Sequence, residues 1–397
     1  MKRSEKTQRE KTLHIFANAF WIYDKGMSGG DKLTLEVLKC CNDEWSKVWK
    51  LILYTPIKFV NIVKGECDND FDYRLTSKKE NEGNSIIKAY ILRTLKALTL
   101  LPYFSEGHVF YSTTDILPDV IPAVVGKLFN RKSKWKIIVH HIIESYKTRP
   151  GSKITNFISC TQQKFALFLA KHYADTIIIE SPLVHNYMKE KHFDEKKIVY
   201  AECGVNYEEI QEAVEDKSNI PNFEGIFLGR LNGSKGIFEF PIIWSKVVEK
   251  FPDARLALIG NGSQENKNKL ENLIKEYNMQ KHIIMLGYLE NTEIYRYLGN
   301  AKVFVFPSHE EGWGIAISEG MAAGLPVVAY NLPIYDFVFK KGMVKIPFGE
   351  YQKFSEEIVA FLENEDYRRQ TGEEAKMFVK RYDWKEVATR EYKILLE

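Results

Sequence analysis

Two glutamates, Glu311 and Glu319, stand eight positions apart on either side of a glycine-rich turn that follows a predicted strand. Carboxylates are strong hydrogen-bond acceptors, so this pair suits a ligand that is rich in hydroxyl groups. The turn is Gly312-Trp313-Gly314, and a helix is expected to begin near Ile315, with free backbone N–H groups facing the turn. The segment therefore predicts a cradle for a sugar or an anion. A surface loop with two solvated acids is the alternative that the spacing leaves open.

Two patterns in the first half of the chain suit the same kind of ligand. The loop Lys25-Gly-Met-Ser-Gly-Gly-Asp31 follows a predicted strand and opens a helix, so Gly29 and Gly30 let backbone amides approach a phosphate closely. A simple strand-to-helix turn explains this pattern as well. Another predicted strand ends in His140-His141, whose side chains should point to opposite faces of the sheet. One of them is expected to face the ligand, and a pair of structural histidines is the alternative.

The elements that must position these residues alternate between short apolar strands and longer amphipathic helices. The strands are rich in Val, Ile and aromatic residues, as buried parallel strands are. In the first half the predicted strands are residues 13–20, 48–54, 108–112, 136–141 and 176–180, and the predicted helices are residues 31–41, 85–101, 119–129 and 157–173. This alternation predicts an α/β fold with a doubly wound parallel sheet.

A second series of the same kind follows residues 208–222, an acidic stretch that we interpret as a linker. Its predicted strands are residues 225–228, 255–259, 283–286, 303–307 and 327–329. Two successive doubly wound halves predict a cleft between two domains. Because open α/β sheets bind ligands at the carboxyl ends of their strands, this cleft is the expected site.

Length and composition restrict the class of protein. The chain has 397 residues, which favours two domains over a single hydrophobic core. No apolar run reaches the ~18 residues of a membrane span, and the charged N-terminus lacks the apolar core of a signal peptide. The five cysteines are scattered and lack zinc-ligand spacing, which is typical of a reducing compartment. These features predict a cytoplasmic protein.

Charge is divided unevenly along the chain. Residues 1–200 carry 32 Lys and Arg against 22 Asp and Glu, a net +10, whereas the remainder carries 24 against 31, a net −7. The basic half therefore favours an anionic partner. Residues 86–104 and 127–136 combine basic and apolar or aromatic side chains, as segments that lie on anionic membranes do. A core-facing helix with a solvated basic rim is the alternative. No nucleic-acid-binding module is recognised, so we expect no nucleic-acid partner.

The second half of the sequence resembles a known family of enzymes. Glu311 and Glu319 lie within a string, EGWG…E…MAAGLPVVA, that is similar to the signature of the family 4 glycosyltransferases. The similarity continues in Phe227-Leu-Gly-Arg-Leu-Asn-Gly-Ser-Lys-Gly236, Leu258-Ile-Gly-Asn-Gly262, Gly287-Tyr-Leu289 and residues 303–308. After Ala329 the family often has a Gly-Gly turn, and this chain has Tyr330-Asn-Leu-Pro333 instead, which leaves the sugar specificity open.

The resemblance implies a role for each matching residue. Arg230 and Lys235 would neutralise the diphosphate of the donor. Glu319 would bind the ribose, and Glu311 would hold a hydroxyl of the transferred sugar. The family places one active-site histidine at such a strand end, and the distance from the preceding basic segment favours His141. The implied catalytic residues are His141, Arg230, Lys235 and Glu311, and the implied donor-binding residues are Gly29, Gly30, Gly312, Trp313, Gly314, Ile315 and Glu319.

The resemblance also implies the GT-B fold, in which two Rossmann-like domains face each other across a cleft. Residues 1–205 would bind the acceptor, residues 206–382 would bind the donor, and residues 383–397 would form a helix that crosses back to the first domain. The implied reaction is retaining, metal-independent transfer of a hexose-type sugar from a UDP- or GDP-linked donor to a glycan or lipid-linked acceptor. It requires no cofactor and suits polysaccharide or glycolipid biosynthesis at the cytoplasmic membrane face.

Three other interpretations of the sequence remain. A nucleotide-sugar epimerase or a sugar phosphorylase can have the same fold, and so can a subunit that binds nucleotide sugars without catalysis. Asp68-Asn-Asp70 spells the metal–nucleotide motif of the other main glycosyltransferase fold. We interpret it as an acidic turn because nothing around it matches that fold, and we predict no metal site.

Overall fold

The computed structural model describes residues 11–21, 27, 29–40, 49–67, 71–79, 85–130, 132–143, 153–216 and 220–396. The chain divides into two compact units. Unit 1 comprises Met1–Glu202 together with Val387–Glu397, and unit 2 comprises Cys203–Glu386.

Unit 1 contains a parallel sheet of seven strands among its described residues, in the order β3-β2-β1-β4-β5-β6-β7. The central strands are almost entirely buried, which explains their continuous apolar character. The strands are β1 (Lys11–Phe16), β2 (Trp49–Pro56), β3 (Asp72–Ser77), β4 (His108–Ser112), β5 (Lys134–Val139), β6 (Thr176–Ile179) and β7 (Ile198–Tyr200).

Helices connect these strands and cover the sheet. They are α1 (Gly29–Lys39), α2 (Ile57–Glu66), α3 (Ile86–Leu100), α4 (Leu117–Phe129), α5 (Lys153–Tyr173) and α6 (Pro182–Glu190). Serine side chains cap two of them: Ser85 Oγ accepts from the backbone N–H of Lys88 at the start of α3, and Ser181 does the same for Leu183 in α6. One apolar core lies between the sheet and helices α3, α4 and α5.

Unit 2 contains a second parallel sheet, with six strands among its described residues in the order β10-β9-β8-β11-β12-β13. Its strands are β8 (Phe223–Leu228), β9 (Leu256–Ile259), β10 (Ile283–Gly287), β11 (Ala301–Phe306), β12 (Val327–Tyr330) and β13 (Met343–Ile346). Both sheets confirm the predicted α/β class with doubly wound parallel strands.

The helices of unit 2 correct one prediction. They are α7 (Tyr207–Glu215), α8 (Phe240–Lys250), α9 (Gln264–Glu276), α10 (Asn291–Gly299), α11 (Ile315–Ala322), α12 (Pro333–Val338), α13 (Tyr351–Glu363) and α14 (Glu365–Val379). A last helix, α15 (Trp384–Leu396), begins in unit 2 and continues in unit 1. Residues 208–215 of the acidic stretch interpreted as a linker instead belong to α7, which packs against α10. Its sequence is polar because Ile210 is its one fully buried side chain.

The end of the chain belongs to unit 1 from Val387 onward. In that unit, Tyr111 donates its hydroxyl hydrogen to the carboxylate of Glu391, with 2.5 Å between the oxygens. The buried ammonium of Lys136 donates to the backbone oxygen of Ile394 at 2.5 Å. These two buried polar contacts hold the last turns of α15 on the sheet of unit 1.

The strand order reverses at one place in each sheet, between β1 and β4 and between β8 and β11. The loops that leave the carboxyl ends of such neighbouring strands diverge and leave a crevice, where doubly wound folds bind ligands. The predicted site residues of unit 2 follow β8 and β11. The topology therefore places them at the same edge of the same sheet.

Candidate functional site

A tight turn after β8 presents Lys235 to the end of β11. The turn is a short 3₁₀ helix, Gly233–Lys235, and the side chain of Asn232 caps it by accepting from the backbone N–H of Lys235 at 3.2 Å. Gly236 then has a φ of +68°, and a Cβ at this position would lie 1.9 Å from the backbone oxygen of Pro307. Glycine is therefore required here, since any side chain would separate the turn from the end of β11.

Backbone contacts join this turn to the loop that follows β11. The N–H of His309 donates to the backbone oxygen of Ser234 at 2.8 Å. Ser308 is fully buried, and its hydroxyl donates to the backbone oxygen of Glu310 at 3.0 Å. Glu239 accepts from the imidazole of His309 and from the hydroxyl of Tyr330. Both loops are thus fixed by hydrogen bonds before any ligand arrives.

Lys235 and Glu311 meet at the centre of this arrangement. The Nζ of Lys235 lies 2.5 Å from Oε1 of Glu311, and these side chains are only 15% and 10% exposed. The ammonium also lies 3.4 Å from the backbone oxygen of Glu310 and 6.0 Å from the ring centroid of Phe306. A cation and a carboxylate are therefore held together in a largely desolvated place, where they can contact a ligand that has both anionic and hydroxyl groups.

Helix α11 carries the second glutamate and begins at the glycine turn. Gly314 has a φ of +106°, and a Cβ there would lie 3.1 Å from the ring of Phe339. Gly320 packs so closely on β11 that a Cβ would lie 2.6 Å from the ring of Phe304. Glu319 is 7% exposed on this helix. Gly312 is exposed and Ile315 is half-buried, so the first N–H groups of the helix lie at the surface of unit 2.

Three buried polar atoms around this turn have no hydrogen-bond partner among the described residues. They are Nε1 of Trp313, Oγ of Ser318 and the hydroxyl of Tyr335. Burial raises the pKa of Tyr335 well above its ordinary value, and the negative charge of Glu311 raises it further. Trp313 was predicted from the sequence, whereas Tyr335 was not, because it lies in α12 beyond the segment that resembles the family. Unpaired buried donors are costly, so these atoms are candidates for ligand contacts.

Arg230 follows β8 at the same sheet edge as Lys235. Its side chain is exposed, and its guanidinium forms no ion pair or hydrogen bond with any residue that the structure describes. The structure therefore joins Lys235 to Glu311 directly, whereas it places Arg230 only on the loop that follows β8. Its predicted contact with a diphosphate stays a prediction.

In unit 1 the structure places His140, rather than His141, against the glycine turn. Nε2 of His140 lies 2.8 Å from the position that a Cβ on Gly30 would take, whereas nothing lies within 4 Å of that position on Gly29. His141 is exposed, and the side-chain amide of Gln163 donates to its backbone oxygen at 2.7 Å. The side chains of adjacent strand residues point to opposite faces of the sheet, and that of His140 points to the face on which α1 begins.

The surroundings of the largely buried His140 favour its protonated form. Its Nδ1 lies 2.9 Å from Oε2 of Glu180, and its Nε2 lies 3.1 Å from the backbone oxygen of Thr113. Burial opposes the charge, but the Glu180 carboxylate, Asp115 and the Thr113 oxygen outweigh it and raise the pKa of His140 to about 9. Two acceptors thus fix both ring nitrogens as donors.

Some of the predicted residues lie outside the described part of the chain. These are Lys25, Gly26 and Ser28 of the first glycine loop and the Asp68-Asn-Asp70 turn. Among the described residues there is no group of three or more His, Cys, Asp or Glu side chains arranged for a metal ion. The described helices are also too short or too polar to span a membrane.

The chain is similar to known proteins in both sequence and structure. The family model described as glycosyl transferases group 1 matches residues 211–378. An uncharacterized glycosyltransferase of Methanocaldococcus jannaschii is 28% identical over 323 residues, which are 75% of this chain and 74% of that protein. The alpha-monoglucosyldiacylglycerol synthase of Acholeplasma laidlawii is 24% identical over 62% of this chain and 64% of its own length. The phosphatidyl-myo-inositol mannosyltransferase of Mycobacterium leprae is 31% identical over 42% and 44%.

For the latter two relatives, the match spans less than two thirds of the protein. Among solved structures, the Anabaena HepE protein in complex with UDP and glucose has a TM-score of 0.72 at 15% identity, covering 97% of this chain and 99% of that one. WaaG, a glycosyltransferase involved in lipopolysaccharide biosynthesis, has a TM-score of 0.67 at 12% identity, covering 96% and 99%. At these identities the likeness shows the fold, and it confirms the GT-B architecture that the sequence predicted.

Proposed function

Because the chain is a group 1 glycosyltransferase with the GT-B fold, we propose that it transfers a hexose-type sugar from a UDP- or GDP-linked donor with retention of the anomeric configuration. The acceptor is a glycan or a lipid-linked sugar, and the enzyme works at the cytoplasmic face of a membrane in polysaccharide or glycolipid biosynthesis. The reaction needs no metal ion and no cofactor.

The observation that carries this proposal is the contact between Lys235 and Glu311 at the strand-order reversal of unit 2. A departing nucleoside diphosphate gains negative charge in the transition state. Fixed positive groups in a desolvated place stabilise that charge without reorganisation. Lys235 is such a group, and the exposed Arg230 on the loop that follows β8 supplies a second charge. In this proposal the two side chains do what a divalent cation does in other transferases.

Glu311 and Glu319 hold the two sugars of the donor in this proposal. Glu311 accepts a hydrogen bond from a hydroxyl of the transferred sugar, while the backbone N–H groups at Gly312, Trp313, Gly314 and Ile315 support it. Glu319 accepts from the ribose. The product retains the configuration when the acceptor hydroxyl attacks from the face that the diphosphate leaves. A double displacement is not proposed, because no carboxylate in the sequence of the first half is an evident nucleophile.

We assign the histidine of the site to His140. The sequence favoured His141, but His140 is the histidine that lies against Gly30. In this proposal His140 is a cation whose ring donates to Glu180 and to the backbone oxygen of Thr113, and it does not serve as a general base. Gly29 and Gly30 form the part of the first glycine loop that lets a ligand approach the start of α1.

The relatives support the choice of donor and acceptor. HepE was solved with UDP and glucose. Two relatives carry names that refer to lipids, an alpha-monoglucosyldiacylglycerol synthase and a phosphatidyl-myo-inositol mannosyltransferase. Among the described cysteines, Cys67 and Cys160 are free thiols, as in a reducing compartment.

The test is a thermal-shift screen of the full chain against UDP, GDP, ADP and their sugars, with and without a metal chelator. We expect one UDP or GDP ligand to raise the melting temperature, the chelator to leave the shift unchanged, and Arg230→Gln to reduce it. Product analysis by NMR with the donor so identified then reports the anomeric configuration. Stabilisation by ADP alone, dependence on a metal, or an inverted product would overturn the corresponding part of the proposal.

A further inference from the structure

Large apolar side chains are exposed mainly on one layer of unit 1. Helices α3, α4 and α5 pack side by side on one face of its sheet. Fourteen of the 22 large apolar side chains that are exposed in the described residues lie on these helices or in the turn after α3. They are Ile87, Ile91, Leu92, Leu95, Tyr103, Phe104, Leu128, Phe129, Ile154, Phe157, Ile158, Phe165, Phe168 and Tyr173. We call this surface the α3–α5 face.

The apolar side chains point away from the core because each helix already has a separate buried side. Helix α3 buries Ala89 and Ala97, and its opposite side exposes Ile91 and Leu95, each more than half. Helix α5 likewise buries Cys160 and Leu167, whereas Phe168 is 53% exposed. Packing within unit 1 therefore does not explain these side chains. An exposed apolar surface of this extent indicates a binding surface.

The charge of the α3–α5 face has one sign. The three helices contain a single acidic residue, Asp119, and it is fully buried. Four lysines are exposed on α3 and α5: Lys88, Lys96, Lys153 and Lys164. None of these four forms an ion pair with a residue that the structure describes. The face therefore combines apolar side chains with uncompensated positive charge.

The turn after α3 carries an aromatic cluster in a strained conformation. Phe104 has a φ of +62° and is 84% exposed. Its ring packs edge-to-face with Phe129, with centroids 6.3 Å apart, and is tilted against Tyr103 at 6.5 Å. The side chain of Asn130 fixes the turn with two hydrogen bonds. It donates to the backbone oxygen of Pro102 at 2.9 Å and accepts from the N–H of Ser105 at 2.8 Å. A bulky residue kept in the left-handed region and exposed to solvent indicates a function for its ring.

We propose that the α3–α5 face binds the surface of a bilayer that contains anionic phospholipid, with Phe104 and Phe129 inserted among the lipid headgroups. The exposed lysines contact lipid phosphates, because their long stems run along the apolar surface while the ammonium stays in water. A protein partner fits less well, since protein interfaces are depleted in lysine at their centres and would bury these charges without partners. This inference deepens the proposed function and rests on its lipid-linked acceptor, because it names the surface that brings the enzyme to that acceptor.

The experiment is co-sedimentation of the full chain with vesicles at low salt. One set of vesicles is phosphatidylcholine alone and the other contains phosphatidylglycerol as well. We expect binding to the mixed vesicles, weakened by salt. Lys88→Gln with Lys96→Gln should lower the affinity about thirtyfold. Phe104→Gly should lower it about tenfold or more, and it should keep the fold, because glycine adopts a positive φ without strain.

Matched variants in unit 2 serve as controls. Lys250→Gln with Lys281→Gln removes two exposed lysines, and Met377→Ser removes a side chain that is 69% exposed. Both are expected to bind vesicles as the wild type does. The inference is overturned if the wild type ignores the anionic vesicles, if the face variants bind like the controls, or if sedimentation shows that the face instead joins two copies of the chain. Donor binding by thermal shift is measured on every variant, so a failure of the proposed function is distinguished from a failure of membrane binding.

Discussion

The ion pair between Lys235 and Glu311 allows stability and catalysis to be separated within one site. Lys235→Met removes the positive charge and keeps the length of the side chain, and Glu311→Gln removes the negative charge and keeps its shape. Each single change leaves one charge in a place that is at least 85% buried, with exposed fractions of 15% for the lysine and 10% for the glutamate. The double variant leaves neither charge.

The size of the effect follows from the geometry. At 2.5 Å, Coulomb's law with an effective dielectric constant of about 20 gives an attraction of about 7 kcal/mol. Desolvation offsets most of this, because each buried ion loses several kcal/mol of hydration. The remaining solvent contact reduces the cost of an uncompensated charge below that of a fully buried one. We therefore expect each single variant to lose about 2 kcal/mol of unfolding free energy and the double variant to lose about the same amount.

Urea unfolding of the wild type, the two single variants and the double variant measures the coupling energy. The expected coupling is about 2 kcal/mol. The pair Lys385–Glu208 is a matched control, because its atoms are also 2.5 Å apart while its side chains are 72% and 68% exposed. Solvent screens that pair, so its cycle should show no resolvable coupling.

Activity should behave differently from stability in the same variants. Lys235→Met should lower turnover by at least about a hundredfold, because it removes a charge that stabilises the departing diphosphate. The double variant should be as stable as either single variant and should stay inactive. If the losses of stability simply add, or if Lys235→Met retains near-normal turnover, the role assigned to this pair is wrong.

Three further outcomes follow from single positions. Gly236→Ala should lower the free energy of unfolding by about 3 kcal/mol, measured in urea, because it adds left-handed strain and places a Cβ 1.9 Å from the Pro307 oxygen. Gly349→Ala should cost only about 1 kcal/mol, because Gly349 has a φ of +80° but open space around its Cβ position. Equal losses would contradict the close approach at Gly236. His140→Ala should lower turnover far more than His141→Ala, and the reverse order would restore the assignment that the sequence favoured. Glu391→Gln tests a pH effect, because burial raises the pKa of Glu391 from 4.5 to about 7. Between pH 4.5 and 7 the folded state therefore holds a proton that the unfolded state releases, so the wild type loses stability as the pH rises through this range. The variant should be up to about 3 kcal/mol more stable than the wild type above pH 7 and equally stable below pH 4.5. A difference that does not change with pH between these limits would refute the assignment.

Much of the fold was predicted from the sequence because the central strands are buried on both faces and read as continuous apolar runs. The elements that were missed lie at the sheet edges. Strand β3 and strand β13 keep most of their residues partly exposed, so their composition is mixed. Helix α7 was interpreted as a linker for the same reason, since a short helix with one fully buried side chain has a polar sequence.

The candidate site likewise has features that the sequence determined and features that only the structure decided. The types and spacing of Glu311, Gly312, Gly314 and Glu319 are local, so the sequence by itself determined that a helix begins at a glycine turn between two carboxylates. It also determined the class of enzyme, through the motifs that the family model matches.

Only the tertiary structure decided which of these groups meet. Lys235 and Glu311 are 76 positions apart in the chain, and they touch because β8 and β11 are neighbours in the sheet. Local patterns do not encode that pairing, since it depends on the crossover that reverses the strand order. The choice between His140 and His141 was left to the structure as well, because alternation separates their faces without saying which face α1 covers. Sequence periodicity is a property of one element, whereas a site is a property of several elements packed together.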